Sequence, residues 1–332
     1  MLPRTLLIFA LAGLSGCGFG GGSDGELTIY SGRQQDLVGP LLERYAEEKG
    51  VDIKVRYAGT PELAATINEE GDASPADVFF SQDAGALGQL QNENRLAKLP
   101  DDLLESVDAR FRSPERDWVG TSGRARIVAY DKRELEESEL PDSVLDLTDD
   151  RWEGKVGWAP TNASFQSFVT ALRKTEGEAA AERWLTAMKE NDTQVYENNV
   201  AIRDAIANGE IEAGLINHYY VAEAIAEEGR DYPVGIHEPP GGDPGALVNV
   251  AGVGVIAGSD EEEAARDFAK FLLSREAQEY FAKETKEYPL AAGVKAEPSL
   301  QALASIEQPD VDLSDLDDLQ GTVELLEKTG VL

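Results

Sequence analysis

The chain of 332 residues is poor in the side chains that bind zinc and copper, because it contains one Cys and two His. Sites for these metals usually combine three or four such ligands, so a His/Cys metal centre is excluded. The motifs His-Glu-x-x-His, Gly-x-Ser-x-Gly and Gly-x-x-x-x-Gly-Lys are also absent. An enzyme that works with carboxylates alone stays open, since Asp77, Asp83 and Glu197 lie near predicted strand ends.

Basic residues are scarce as well. The chain carries 30 Lys and Arg against 63 Asp and Glu, which gives a formal net charge of −33 at pH 7. Nucleic acid and anionic lipid surfaces are therefore excluded as partners, because their phosphate groups would be repelled. The acids are spread over the whole chain, which favours a solubilising surface or an adaptation to high salt over a cation-binding tail.

Apolar runs long enough to span a membrane are absent, and the run at the N-terminus extends from Leu6 to Leu14 after Arg4. This run is too short to span a membrane in the mature protein, and we predict a signal peptide over 1–16. The stretch Leu14-Ser15-Gly16-Cys17 resembles a bacterial lipobox, so Cys17 is predicted to carry a lipid and 17–25 to include a flexible tether. Lipidation of the only Cys would leave neither thiol nor disulfide, and would anchor the chain outside the cytoplasmic membrane.

Strand and helix patterns alternate from Glu26 onward, which is typical of an α/β protein with a parallel sheet. The predicted elements are a strand over Glu26–Gly32, a helix over Gln35–Gly50, a strand over Val51–Gly59, a helix with Thr60 as N-cap, and a buried strand over Ala76–Ser81. A second α/β region follows Pro114, and Ser259 is the predicted N-cap of one long later helix. The apolar strand regions 124–130 and 246–256 are the candidate crossings between two lobes, with a ligand in the cleft.

Two adjacent tyrosines, Tyr219 and Tyr220, lie between an apolar strand and a helical pattern. Neighbouring side chains of a strand point to opposite faces, so both can reach one ligand only if the chain turns there. Phenolate is a hard oxygen donor that a trivalent metal ion can strip of its proton. From the dipeptide alone, a metal site, packing in the cleft and stacking on an organic ligand all stay open.

At this point the chain resembles the ferric-ion-binding periplasmic proteins of bacterial ABC iron importers. The resemblance extends over nearly all of the mature chain and rests on segments in the same order: LTIYSGRQQ, SPADVFFSQDAGAL, WVGTSGRARIVAYD, GKVGWAPTNASF, ENNVAIRDAIANGEIEAGLINHYY, DPGALVNVAG and EYPL. It implies a type II periplasmic-binding fold, with two lobes of mixed sheets flanked by helices and a strand hinge between them. The lobes would comprise 26–124 with 248–298, and 125–247 with 299–332.

The resemblance implies that Tyr219 and Tyr220 bind the iron. Gln34 and Gln82 stand where some family members supply a histidine and a glutamate, and Ser164 stands where others supply a tyrosine. Neutral Gln is a poor ligand for Fe(III), so a synergistic anion, phosphate or carbonate, would complete the site. The residues expected to hold this anion are Arg33, Asp83, Asn162, Ala163, Ser164, Asn198 and Asn217.

The resemblance therefore implies a solute-binding lipoprotein that delivers ferric iron to an ABC permease. It implies no enzymatic activity. We expect a monomer in contact with the membrane only through its N-terminal lipid. The alternative is a receptor for a phosphorylated or other anionic small molecule, in which the tyrosines stack on the ligand or hydrogen-bond to it.

Overall fold

Residues 25–332 are described by a computed structural model. The predicted signal peptide over 1–16, the lipidation of Cys17 and the tether up to residue 24 lie outside the described residues. The strands are β1 (Leu27–Ser31), β2 (Ile53–Tyr57), β3 (Val78–Ser81), β4 (Trp118–Asp131), β5 (Val156–Trp158), β6 (Gln194–Val195), β7 (Ala213–Asn217), β8 (Val234–His237), β9 (Val248–Val255) and β10 (Tyr288–Pro289). The helices are α1 (Gln35–Lys49), α2 (Thr60–Glu70), α3 (Ala84–Asn92), α4 (Asp101–Leu104), α5 (Ala163–Glu176), α6 (Glu178–Glu190), α7 (Asn199–Ala207), α8 (His218–Glu228), α9 (Glu262–Leu272), α10 (Arg275–Lys283) and α11 (Leu319–Lys328).

The first half of the sheet structure has the order β2-β1-β3-β9-β4. Strands β1, β2 and β3 are parallel, as the alternation of strands and helices predicts, while β9 runs antiparallel to both β3 and β4. Every residue of β3 and β9 is buried, which is the pattern of central strands covered on both faces. The predicted α/β fold with mixed sheets is therefore confirmed.

Strand β4 joins this half to a second one. Its first part pairs with β9 up to Ala125, and its second part pairs with β7 from Arg126 onward. Strand β8 pairs with the later part of β4, and β5 pairs in parallel with both β7 and β6. Because one continuous strand serves both halves, the point at which it changes partners, between Ala125 and Arg126, lies between the two lobes.

An aromatic cluster fills the core of the second half. Trp158 of β5 packs edge-on against Phe165 of α5 and Trp184 of α6, with ring centroids 5.7 and 6.2 Å apart. Phe168 contacts Trp184 in the same way at 5.6 Å. Such pairs contribute about 0.5–1.5 kcal/mol each beyond the burial of their surface, so they fix α5 firmly on the sheet.

Two predicted N-caps are wrong. Gly59 is the N-cap of α2, because its backbone has the extended conformation of a cap residue. Thr60 is the first residue of the helix. Glu261 occupies the N-cap position of α9, while the hydroxyl of Ser259 donates to Asp77 Oδ1 at 2.6 Å. The single long helix predicted after Ser259 is two helices, because Ser274 caps α10 by accepting from the N–H of Ala277.

The segment before α11 contacts helices of both halves. A Cβ on Gly85 or Gly88 of α3 would lie 2.2 Å from the carbonyl oxygen of Leu316 or Ser314, so the two backbones touch. The Thr322 hydroxyl of α11 lies 2.7 Å from that of Thr170 on α5. The assignment of 299–332 to the second lobe therefore stays a prediction, like the other lobe boundaries.

Candidate functional site

Tyr219 and Tyr220 lie in the first turn of α8, directly after β7 ends at Asn217. Their rings face each other at a tilt of 34°, with centroids 4.2 Å apart. The chain turns from strand to helix at this point, which brings both phenols to one side. Burial raises the pKa of Tyr219 well above its ordinary value, and Tyr220 adds to this rise, although the charge of Arg124 opposes it. Without a ligand Tyr219 is therefore a neutral phenol.

His218 precedes the tyrosines and is fully buried. Its Nδ1 accepts from the N–H of Ala125 at 3.1 Å, so the proton lies on Nε2, which donates to the carbonyl of Lys286 at 3.0 Å. Its ring stacks on Tyr288 at 4.6 Å. Burial lowers the pKa of His218 to about 4. Both ring nitrogens are occupied, so His218 holds α8 on β4 and is not free to bind a ligand.

A small polar cavity of about 20 Å³ lies at the end of β7, where it is lined by Asn217 and not by the tyrosines that follow two and three residues later. A space of this size accommodates about one water molecule. Its lining residues come from the loop after β3, from β4, from the start of α5, from the end of β7 and from β9 with the residue before it; they are Gln82, Asp83, Arg124, Arg126, Ala163, Ser164, Asn217, Leu247 and Asn249.

Arg124 and Arg126 make this cavity positive. They are two residues apart on β4 and so project to the same face of the strand. Each is only 3% exposed. The Nε atom of Arg124 has no hydrogen-bond partner within residues 25–332, and neither does the Nε atom of Arg126. Buried guanidinium groups with unused donors form a site that favours an anion.

Arg126 is held by neutral partners. Its Nη1 donates to Ser164 Oγ at 3.2 Å and to Asn217 Oδ1 at 3.3 Å, and its Nη2 donates to the carbonyl of Leu215 at 2.7 Å. The guanidinium also lies 5.8 Å from the ring centroid of Phe165 and 5.7 Å from that of Phe168. Burial lowers the pKa of Arg126 to about 9, although the two tyrosines oppose this. No carboxylate balances its charge in these contacts.

Arg33 is arranged differently. Its Nη1 and Nη2 donate to the two carboxylate oxygens of Glu287 at 2.8 and 2.9 Å, and both side chains are almost fully buried. Arg33 does not line the cavity. Burial lowers the pKa of Arg33, but the Glu287 carboxylate raises it above its ordinary value. Tyr219 and Tyr220 add to this rise.

Of the residues that the sequence suggests for iron or anion binding, Gln82, Asp83, Ala163, Ser164 and Asn217 line the cavity. Asp83 is also the N-cap of α3, where its Oδ1 accepts from the N–H of Ala86 at 3.2 Å. Burial raises the pKa of Asp83, although the charge of Arg124 opposes this. Asp83 thus places a carboxyl group in the same lining as Arg124 and Arg126.

The structure does not bring the other suggested residues into the cavity lining. Gln34 is exposed at the N-cap position of α1. Asn162 is the N-cap of α5, with its Oδ1 accepting from the N–H of Ser164 at 3.0 Å. Asn198 is exposed and caps α7 through the N–H of Ala201 at 3.0 Å. These asparagines cap helices, and a sequence motif cannot distinguish this role from ligand binding.

Four residues at the site were not identified from the sequence: Arg124, Arg126, Asn249 and Glu287. The alternation Arg124-Ala125-Arg126 within a predicted strand was a usable signal, since it places two charges on one face of an otherwise apolar element. Asn249 accepts from the N–H of Ala84 at 3.2 Å and joins β9 to α3. Glu287 carries no local signal, because its partner Arg33 is 254 positions away.

The polar groups at the site are two phenols, side-chain amides, guanidinium groups, the Ser164 hydroxyl and the Asp83 carboxyl. Within residues 25–332, no group of three or more His, Cys, Asp or Glu side chains could hold a metal ion. A metal bound here would take its protein ligands from the two phenols and the rest from a bound small molecule. That donor set fits a hard trivalent ion and does not fit zinc or copper.

The fold and the site are those of a receptor with a ligand cleft between two lobes. Residues 73–313 match the family described as bacterial extracellular solute-binding protein, and the chain belongs to this family. No helix in residues 25–332 combines the length and the apolar character needed to cross a membrane.

The similar proteins are named for iron. The chain is 35% identical over 309 residues to the major ferric iron-binding protein of Neisseria meningitidis serogroup B, covering 92% of this chain and 93% of that one. Iron-bound HitA from Pseudomonas aeruginosa has a TM-score of 0.85 at 34% identity, with 92% and 99% covered. The Trichodesmium protein solved with iron and citrate has a TM-score of 0.80 at 30% identity, with the same coverage.

Proposed function

We propose that this protein binds ferric iron through the phenolate oxygens of Tyr219 and Tyr220, together with a synergistic anion, and delivers it to an ABC permease. The observation that carries the proposal is the phenol pair, with ring centroids 4.2 Å apart, which follows Asn217 of a cavity lined by two arginines. Relatives at 30–35% identity whose names refer to iron, one of them to ferric iron, support it.

The ionisation of the phenols favours iron over softer ions. Burial raises the pKa of Tyr219 well above its ordinary value, so only a strongly charged, hard ion can displace its proton near neutral pH. Fe(III) meets this condition and binds phenolate strongly. Protonation of the phenolates or reduction to Fe(II) would weaken the bond, which provides a route for release.

The anion compensates for what the protein lacks. Two phenolates leave an octahedral ferric ion short of ligands, and Gln82 is a neutral amide. An anion in the cavity would bind the metal on one side and Arg124 and Arg126 on the other, where charge-assisted hydrogen bonds are strongest. Ser164 and Asn217 would orient it, since both already contact Arg126. Phosphate and carbonate both have the required charge.

The remaining parts of the proposal concern location and role. The protein would be exported and anchored at the outer face of the cytoplasmic membrane through a lipid on Cys17. It would act as a monomer and without catalysis, because closure of two lobes around a ligand needs no bond to be broken. The family, whose members are extracellular solute-binding proteins, supports this role.

A second candidate is a receptor for a phosphorylated or other anionic small molecule. It is favoured by the two arginines that line the cavity, since these would suit a phosphate group equally well. The cavity of about 20 Å³ must widen for either ligand, and a phosphorylated sugar, which is larger than phosphate or carbonate, would require the greater widening.

An absorption titration separates the two candidates. The chain from Ser23 onward, which contains every described residue, would be stripped of metal and titrated with Fe(III) in phosphate, in carbonate and in neither. We expect a broad phenolate-to-iron band in the visible region that is lost in Tyr219→Phe and in Tyr220→Phe. Tyr57→Phe, a half-buried tyrosine on β2, is the matched control and should keep the band.

Absence of the band in all three conditions would refute the iron proposal and favour the anionic small molecule. A band that appears equally well without any added anion would support iron binding but refute the need for the anion.

A further inference from the structure

Three buried arginines surround the site, and they are not equivalent. Arg33, Arg124 and Arg126 are 2–3% exposed, and the Nε atom of each has no hydrogen-bond partner within residues 25–332. Glu287 is the buried carboxylate that pairs with arginine here, and its position decides which of these charges remain free for a ligand.

Glu287 is held from several directions. Both of its oxygens accept from the Nη atoms of Arg33, and Oε2 also accepts from Ser122 Oγ at 2.9 Å and Thr285 Oγ1 at 3.0 Å. Arg124 is more distant, with its Nε 3.9 Å from Oε1. Burial alone would raise the pKa of Glu287, but Arg33 holds it below its ordinary value. Glu287 is therefore a permanent anion whose direct partner is Arg33.

The bidentate pair with Glu287 uses one N–H of each Nη atom of Arg33, and the carboxylate neutralises the charge of this guanidinium. Arg33 is also not part of the cavity lining, whereas Arg124 and Arg126 both are. Glu287 therefore neutralises Arg33 and leaves Arg124 and Arg126 as the positive charges that line the cavity.

We propose that Glu287 is a positioning residue that withholds Arg33 from the cargo anion, so that the anion is bound by Arg124 and Arg126. This inference rests on the proposed anion site and adds a prediction about its charge. Removal of the Glu287 charge should release Arg33 toward the cavity and make metal-free protein bind anions more tightly. Removal of both charges of the pair should change anion binding little.

The test measures the binding of inorganic phosphate to metal-free protein by calorimetry. For Glu287→Gln, which keeps the size of the side chain and its acceptor oxygen, we expect an affinity about tenfold higher, as one released charge-assisted contact would give. For Glu287→Asp, which keeps the charge, and for the double variant Arg33→Gln/Glu287→Gln, we expect affinities within about threefold of the parent.

Asp318→Asn is the matched control. It removes the carboxylate that accepts from Arg173 Nη2 at 2.7 Å, an ion pair of α11 and α5 that does not line the cavity. Phosphate affinity should not change in this variant. A gain of affinity in Glu287→Gln alone would not be explained by a general loss of stability.

An affinity that stays the same or falls in folded Glu287→Gln would overturn the inference. A tenfold loss of phosphate affinity in the double variant would also overturn it, because Arg33 itself would then be an anion ligand. The double variant decides the question even if Glu287→Gln does not fold. The measurement contains no iron. A missing phenolate band would thus refute the proposed metal without changing the phosphate affinities. Phosphate affinities that contradict the inference would likewise not affect the phenolate–iron band.

Discussion

Replacement of Arg124 by Met should make the protein more stable and bind its anion more weakly. Arg124 is 3% exposed, and its Nε lies 3.9 Å from a Glu287 carboxylate that Arg33 already neutralises. At an effective dielectric constant of 20, a full charge pair at this distance attracts by about 4 kcal/mol, and the shared carboxylate makes the real value smaller. Desolvation of the buried ion costs several kcal/mol.

These opposing terms leave a small net cost for the buried charge. We expect Arg124→Met to raise the free energy of unfolding of metal-free protein by about 1 kcal/mol, which corresponds to a rise of about 2 °C in melting temperature for a chain of this size. Loss of one charge-assisted contact should weaken phosphate binding by about 10–100-fold. Such opposite changes are typical of residues kept for function at the expense of stability.

The assays are urea unfolding of metal-free protein and phosphate calorimetry. Arg44→Met is the control, because Arg44 is exposed and pairs with Glu276 at the surface; neither quantity should change much. An Arg124→Met variant that is less stable by more than about 1 kcal/mol would refute the reasoning about the uncompensated charge. Unchanged phosphate affinity would refute the role of Arg124 in the anion site.

Two further predictions concern helices at the site. Glu223 lies one turn after Tyr219 on α8, and burial raises its pKa from 4.5 to about 7, although Arg203 opposes this. The stability that its neutral form provides is fully present below pH 4.5 and is lost as pH rises to about 7. Glu223→Gln should therefore match the parent at pH 4.5 and exceed it by about 1 kcal/mol at pH 8 in urea unfolding, after allowance for solvent screening; equal stability at both pH values would contradict this. Asn198→Ala should lose about 1 kcal/mol through the missing cap of α7 and keep the phenolate–iron band and the iron affinity. A tenfold fall in iron affinity would instead make Asn198 an anion ligand.

The site depends on helix starts and strand ends, which explains where prediction succeeded. Tyr219 and Tyr220 follow a clear apolar strand and precede a helical pattern, so their place at a strand-to-helix turn could be predicted locally. Asn162 and Asn198 stand at similar boundaries, and the same local reasoning could not separate them from cavity residues. Capping and anion binding use the same side-chain groups, and only the direction of each side chain distinguishes the two roles.

The charges of the site were the harder part. Arg33 is an isolated arginine in the sequence and was assigned to the anion, yet its fork is filled by a carboxylate 254 positions away. Arg124 and Arg126 look like ordinary charged residues of a strand, and only the folded structure of residues 25–332 shows that both are buried with Nε atoms that lack partners there. Pairing of charges across the chain is a property of tertiary contacts, which have no local pattern.

The sequence by itself determined the α/β elements, the strand region 124–130 within the β4 that pairs with both β9 and β7, and the adjacent tyrosines. These follow from periodicity, from turn residues and from a dipeptide, all of which act over a few positions. The tertiary structure alone decided which arginines face the cavity and that His218 is occupied by Ala125 and Lys286. The reason is physical: backbone preferences are local, whereas the free energy of a buried charge depends on every group that folding brings within a few ångströms of it.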